Sequence, residues 1–319
     1  MANCHDLFSS FHESIKLSSS GKENLREARD AVRECIKNAF RDAERIPVPT
    51  FCGQGSYAMS TIVNPLSGEY DIDDGVYLQN LDKNDNSDWP TPEAVHKWIV
   101  DAVRNHTKVP PIDKRTCVRV VYAGKYHLDL PIYADLNGDN LHAEKGEKGW
   151  HSSDPKAITD WFLKAVSTNG EQLRRMVRYF KAWSDHAARN GKLPSGLVYT
   201  VLVVESFSYN DRDDVCFGGL ARAIYTRMLG SLRISNPVDE TEDLLGRLRP
   251  EQKSHFLGEL ERLKSAAAKA LSEENKIKSC KAWKKEFGDR WVDCSTLEGK
   301  TAATYTVAPA ILRDDARSA

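Results

Sequence analysis

The chain has 319 residues, 40% of them hydrophobic, with 45 Lys plus Arg against 46 Asp plus Glu and a formal net charge of −1. That length points to two lobes or one large domain, and the neutral balance argues against a dedicated binder of long nucleic acid, which carries a basic excess. No apolar run approaches the ~20 residues of a membrane span, the start has no basic segment leading into an apolar one, and seven scattered cysteines without a CxxC pair read as free, mostly buried thiols in a reducing cytoplasm, with no zinc site.

In chain order, the first predicted element is a helix from about Gly21 to Arg41. Ser20 and Glu23 fit an S-x-x-E capping box, and Leu25, Ala28, Val32, Ile36 and Phe40 recur on one stripe. An extended run from Val48 to Cys52 leads into Gly53-Gln54-Gly55-Ser56, and Tyr57 to Thr61 reads as a short helix. Asn64-Pro65 and Ser67-Gly68 mark a loop, Asp71 to Leu78 a strand, and Thr91 caps a helix from about Pro92 to Asn105. Thr116 to Tyr122 and Tyr126 to Ala134 form a hairpin turning at Ala123-Gly124.

The polar stretch from Asn137 to Lys148 places a lobe boundary near residue 150. Residues 155–290 read almost entirely as helix, and from Ser295 the periodicity weakens into a tail. The expected fold class is α/β (α+β). A mixed-sheet lobe spans 1–150, a helical lobe 151–294 and a tail 295–319.

The sharpest feature is Asp71-Ile72-Asp73. Side chains alternate along a strand, so both carboxylates project from one face while Ile72, Val76 and Leu78 face the core. Asp74 breaks the pattern and points coreward unless the strand bends or ends there. On the next patterned strand Leu128, Leu130, Ile132 and Ala134 make an apolar face, with His127, Asp129, Pro131 and Tyr133 opposite. Aspartate is disfavoured within strands, and three such carboxylates suit a divalent magnesium ion, which takes hard oxygen ligands and substrate phosphates. The Gly53-to-Ser56 loop matches neither a P-loop nor a dinucleotide fingerprint, but its backbone amides and the Ser56 hydroxyl suit a phosphate. Between Glu171 and Arg189, Arg174, Arg178 and Lys181 form a basic stripe beside an apolar one that includes Leu173, Met176, Val177, Phe180 and Ala187. Such a stripe is either a solvated face or a cationic wall toward triphosphate.

As a set, Gly55-Ser56, Asp71-Ile72-Asp73-Asp74-Gly75 and Leu128-Asp129-Leu130-Pro131-Ile132-Tyr133-Ala134 resemble the polymerase β nucleotidyltransferase superfamily. Within it they resemble the bacterial cyclic-oligonucleotide synthases (CD-NTases) related to cyclic GMP-AMP synthase and oligoadenylate synthase. The resemblance implies a polymerase β-like core, a helical C-terminal lobe and an active site in the cleft between them. It implies that Asp71 and Asp73 hold magnesium, or manganese, and that Asp129 completes the acceptor-side site. A ribose hydroxyl would attack the α-phosphate of a nucleoside triphosphate, ATP among the substrates, and pyrophosphate would leave. Gln54, Gly55 and Ser56 with Lys181 and Ser195 would hold the remaining phosphates, with Arg178 as a further candidate. His127 reads as a residue that lines the sheet or bonds a neighbour.

The implied product is a cyclic di- or trinucleotide messenger of a bacterial anti-phage (CBASS) pathway, acting on a separate effector. Some relatives are conjugated through their C-terminus by an E1/E2-like enzyme, and the end Arg317-Ser318-Ala319 is compatible with that. The clustered His and Cys of the vertebrate DNA sensor's zinc insertion are absent from the sequence. Two other functions stand beside this one: a synthase of linear oligonucleotides or modifier of RNA or protein, and a non-catalytic nucleotide-binding module.

Overall fold

The computed structural model describes residues 1–66, 68–123 and 126–297. Ser67, the turn residue Gly124 and most of the expected tail, including Arg317-Ser318-Ala319, lie outside the described residues.

Among the described residues the main sheet has eight strands. Its centre is β2 (Tyr70–Leu78), with β1 (Thr50–Gln54) antiparallel along one edge. The other edge takes β5 (Tyr126–Leu130) and then β6 (Ile132–Leu136), both parallel to β2. The single strand expected over Tyr126 to Ala134 is therefore interrupted at Pro131, which cannot donate to a ladder but whose carbonyl accepts from the Val76 N–H at 2.8 Å. Outside these lie β3 (Ile112–Asp113), β4 (Val118–Tyr122), β7 (Asp139–Glu144) and β8 (Gly149–Ser152). The expected hairpin is β4–β5, with Val118 opposite Leu130 and Tyr122 opposite Tyr126. The polar stretch from Asn137 to Lys148 is not a linker. Half of it is β7, paired between β6 and β8, whose His142, Ala143 and Glu144 are buried.

One face of the sheet packs against α2 (Ser19–Asp42) and α4 (Pro92–Val103). The stripe Leu25, Val32, Ile36, Phe40 meets Ile72, Val76, Leu78, Leu128 and Leu130 there, all at most 3% exposed. The start of α2 differs from expectation. Ser18, not Ser20, is the cap and accepts from the Gly21 N–H at 3.0 Å, while Glu23 pairs with Arg26. Thr91 caps α4 as expected.

A second core forms among α5 (Pro155–Asn169), α6 (Glu171–Ala187), α7 (Gly196–Ser206), α8 (Asp213–Gly230), α9 (Pro250–Ser272) and α10 (Lys276–Phe287). A small hairpin of β9 (Ser235–Asn236) and β10 (Asp239–Asp243) interrupts this otherwise helical run. α1 (His5–Ile15) belongs to this core, although it opens the chain. Phe8 and Phe11 are fully buried against Trp283, Phe287 and Trp291, and the Tyr179 hydroxyl donates to the Phe8 carbonyl at 2.9 Å. Residues 5–15 thus pack away from the sheet core with which the sequence boundary grouped them. A disulfide joins Cys280 to Cys294, which departs from the expectation of free thiols, while Cys4, Cys35, Cys52, Cys117 and Cys216 are free. No helix among the described residues is long and apolar enough to cross a membrane.

Asp74 does point into the core. It is 0% exposed, and Arg33 of α2 meets it with two hydrogen bonds, Nε–Oδ2 at 2.7 Å and Nη2–Oδ1 at 2.5 Å. A buried carboxylate left without its cation is costly. Arg33→Met is expected to lower unfolding free energy by about 3 kcal/mol in urea melts, and adding Asp74→Leu is expected to restore most of it. Additive losses in the double variant would contradict this pairing.

Candidate active site

The three carboxylates come from neighbouring strands held in register. β2 and β5 run parallel with Asp71 beside His127 and Asp73 beside Asp129. On its other side Asp73 is paired with Gln54 of β1. Alternation then turns Asp71, Asp73 and Asp129 to the face opposite the α2–α4 core. Asp129 is 8% exposed, whereas the Asp71 side chain is 62% exposed, so the site grades from a covered interior to an open rim.

This crowding is partly balanced by two cations that sequence reasoning did not single out. Arg119 of β4, the register partner of Asp129, donates to it through Nε at 2.6 Å and Nη2 at 2.8 Å, and its Nη2 also lies 2.8 Å from Asp71 Oδ1. Lys114 Nζ reaches Asp129 Oδ2 at 3.2 Å. Burial alone would raise the Asp129 carboxyl, but the Arg119 contacts outweigh it and hold the group below the usual carboxylate range. Asp73 has no such partner. Burial, then the charges of Asp129 and Asp71, push it up to about 6. His127 bonds a neighbour, with Nδ1 3.2 Å from Asp71 Oδ1 and Nε2 3.5 Å from Glu69 Oε2. The signal for Arg119 was a cation set at alternating phase in Val118-Arg119-Val120, one strand from Asp129.

A set of hard oxygen donors with one carboxyl raised by burial and by its like-charged neighbours is what a divalent cation relieves. Asp71, Asp73 and Asp129 therefore fit such an ion, and Arg119 and Lys114 occupy part of the same electrostatic space.

Two cavities adjoin the carboxylates. The first, about 400 Å³, has Asp71 and Ser56 on the sheet side and Lys181, Ser184, Pro194 and Gly196 on the helical side. Lys181 Nζ donates to Thr61 Oγ1 at 2.8 Å, and burial, with the nearby Arg178 charge, lowers its pKa to about 7. Ser195 is the exposed N-cap of α7, with no side-chain cap bond, between two residues that line this cavity. The second cavity, about 820 Å³, is lined by Gln54, Asp73, Asp129 and Tyr133 from the sheet and by Ile158 and Leu197 from the helices.

Ser56 is set by α3 (Gly55–Ala58), a single turn that follows β1 directly. Gly55 has φ +60°, and a Cβ there would stand 2.6 Å from Asp73 Oδ2, so the loop lies hard against the carboxylate.

Two sequence candidates are bonded to protein partners. Gln54 is 3% exposed, accepts from Tyr133 Oη at 3.3 Å and donates to Tyr77 Oη at 3.1 Å, so its amide is held by two tyrosines in the lining of the larger cavity. Arg178 bonds His12 Nε2 at 2.6 Å and the Ser60 carbonyl, and it lines a separate cavity with Lys16, Lys22 and Tyr57. The basic stripe of α6 is not a solvated face. Arg174, Arg178 and Lys181 bond Met59, Ser60 and Thr61 in turn, tying the helices to the segment after α3.

This geometry has counterparts. Residues 49–133, which hold the Gly55-Ser56 loop and all three carboxylates, match the family model "Cyclic GMP-AMP synthase DncV-like, nucleotidyltransferase domain". Residues 49–133 are thus similar to a DncV-like nucleotidyltransferase domain.

A cyclic GMP-AMP synthase of Escherichia albertii is 31% identical over 263 residues, 75% of this chain and 57% of the relative. The chain thus spans little more than half the length of that curated relative. A cyclic AMP-AMP-AMP synthase of an Acinetobacter strain is 22% identical, over 94% of this chain and 88% of its own length. The Vibrio cholerae DncV crystal structure in its 3′-deoxy ATP bound form superposes with a TM-score of 0.79 at 20% identity, covering 92% of this chain and 97% of that one. The chain therefore shares the overall fold of that structure, a mixed sheet flanked by helices.

Proposed function

We propose that this chain is a divalent-metal-dependent nucleotidyltransferase that joins nucleoside triphosphates, ATP among them, into a cyclic di- or trinucleotide and releases pyrophosphate. The observation that carries the reading is the placement of Asp71, Asp73 and Asp129 between two cavities of about 400 and 820 Å³. A cyclising enzyme needs room for a donor triphosphate and for an acceptor on either side of one charge-handling centre. The smaller cavity, with Ser56, Lys181 and the start of α7, suits a triphosphate. The larger one, which Asp73 and Asp129 line, suits the nucleotide whose hydroxyl attacks.

The transfer forms an O–P bond to the α-phosphorus and breaks the bond to the pyrophosphate oxygen. A magnesium or manganese ion bound by Asp71, Asp73 and Asp129 would neutralise charge on the attacking and leaving oxygens and acidify the hydroxyl. The rest falls to the chain: Lys181 and Ser56 hold the phosphates, and Asp73 and Asp129 present the acceptor face. A product that leaves the enzyme fits a messenger acting on a separate effector, and we place it in bacterial anti-phage signalling of the CBASS type. Conjugation of the C-terminus by an E1/E2-like enzyme belongs to the same reading.

The deciding experiment incubates the chain with all four NTPs and magnesium or manganese and analyses products by mass spectrometry. A phosphatase-resistant oligonucleotide is expected, and a linear ladder would sink cyclisation. A pH signature is also expected. Lys181 titrates at about 7, and its cationic form is the one that holds triphosphate. Affinity for a non-hydrolysable NTP should fall by up to about tenfold per unit as pH rises above 7, and Lys181→Met should flatten that limb. An unchanged slope in the variant would remove Lys181 from the phosphate site.

A further inference from the structure

A second cluster of ligating side chains stands apart from the three aspartates. β7 and β8 are antiparallel with His142 directly opposite His151, and Glu144 follows His142 on the same face. One ligand atom from each of His142, Glu144 and His151 lies within 4.8 Å of the others, and His151 Nε2 is 3.6 Å from Glu144 Oε2. Among the described residues, no other group of three His, Cys, Asp or Glu side chains meets that spacing.

The hydrogen bonds around the cluster fix both imidazoles in the form a metal needs. His142 Nε2 is 2.8 Å from the Thr116 carbonyl, and His151 Nδ1 is 3.3 Å from the Gly149 carbonyl. A carbonyl only accepts, so each of these nitrogens carries a proton, and in a neutral ring the lone pair is left on His142 Nδ1 and His151 Nε2. A ligating histidine commonly anchors its other ring nitrogen in this way. Glu144 is 1% exposed, and its Oε1 is buried without a hydrogen bond. The cations near it are Arg115, with Nη2 3.2 Å from Oε1, and Lys148, with Nζ 3.6 Å from Oε2. Their side chains are 62% and 52% exposed, so both are solvated and free to swing away. All three candidate ligands line the 820 Å³ cavity, which provides an entry path.

We propose that His142, Glu144 and His151 bind one zinc-class divalent cation on the wall of the larger cavity, separate from the magnesium-type carboxylate site. Two imidazoles and a carboxylate select a borderline metal such as Zn²⁺ over Mg²⁺, which prefers oxygen alone. Tetrahedral bonds of 2.0–2.1 Å place ligand atoms about 3.4 Å apart, so the present spacing closes by at most about 1.4 Å. Three protein ligands leave the fourth position open toward the cavity, where a nucleotide nitrogen or phosphate oxygen would reach it.

The test uses the full chain stripped with EDTA and titrated with ZnCl₂ by calorimetry in excess Mg²⁺, together with the visible absorption of added Co²⁺. One ion per chain and a four-coordinate cobalt spectrum are expected. His151→Gln should weaken zinc binding by about a hundredfold and abolish that spectrum, whereas Asp73→Asn should keep both. His142→Gln serves as the second variant, and melting temperatures in EDTA check that each variant folds. No zinc binding by the parent, undiminished binding in both histidine variants, or loss of binding in Asp73→Asn would overturn the proposal. None of these readouts depends on nucleotide transfer, so the site and the proposed activity fail separately.

Discussion

Asp73→Asn is expected to reduce nucleotide transfer by at least about a thousandfold while making the metal-free chain more stable at neutral pH. Both effects have one origin. Asp73 sits between Gln54 and Asp129 in the sheet and has no cation of its own, and burial with its acidic neighbours pushes it up to about 6. That is above the ordinary carboxylate value of 3.8, so the folded state binds an extra proton between roughly pH 4 and 6. Stability from this group is therefore present at low pH and is lost as pH rises through 6, after which the carboxylate is charged in a place that disfavours it. Asparagine removes that penalty, a gain on the order of 2 kcal/mol above pH 7 that fades toward pH 4. Thermal melts in EDTA at pH 4.5 and pH 7.5, run beside a product assay, check both halves. Unchanged turnover would remove Asp73 from the site, and a gain no larger at pH 7.5 than at pH 4.5 would contradict the charge argument.

Gly55→Ala is expected to cost most of the activity, about a hundredfold, and about 1–2 kcal/mol of stability. The residue has φ +60°, which an L side chain adopts at a penalty, and its new Cβ would meet Asp73 Oδ2 at 2.6 Å. Either the loop lifts off, carrying Ser56 away from the smaller cavity, or Asp73 rotates away from Asp129. Both spoil a geometry that tolerates little displacement. Gly68→Ala is the control. Its φ is +79°, but a Cβ there meets nothing within 4 Å, so backbone strain appears without the clash. Equal activity losses in the two variants would show that strain alone, not the contact with Asp73, is responsible.

The shared face of the three carboxylates was legible in the sequence because strand alternation is local. Asp71-Ile72-Asp73 and Leu128-Asp129-Leu130 declare which side chains share a face whatever the strands pair with. The long amphipathic helices α2 and α6 were legible for the same reason, their apolar stripes recurring within a few turns. Element edges were less so. Ser18 and Ser20 are both plausible caps by residue type, and only the Gly21 N–H selects Ser18. The strand β7 was hidden because Asp139 and Asn140 are poor strand formers, and pairing with β6 and β8 overrides their propensity.

What depends on partners distant in sequence was not legible. The pattern put Asp74 coreward, but its cation, Arg33, lies 41 residues away on α2. The basic stripe of α6 reads identically whether it faces water, phosphate or protein. In the structure Arg178 is taken by His12 and Ser60 while Lys181 borders the smaller cavity. Cys280 and Cys294 carry no local sign of pairing, and α1 gives no sign that it joins a core made by helices more than 150 residues later.

By itself the sequence determined that this is an α/β chain with an acidic strand face beside a glycine loop, because spacing within single strands suffices for that, and its resemblance to nucleotidyltransferases rests on those motifs as a set. Tertiary structure alone decided which cations meet the carboxylates, where the two cavities open, and that His142, Glu144 and His151 converge. The physical reason is range. Alternation and capping act over two to four residues, whereas charge pairing and ligand convergence are set by which strands and helices fold against each other.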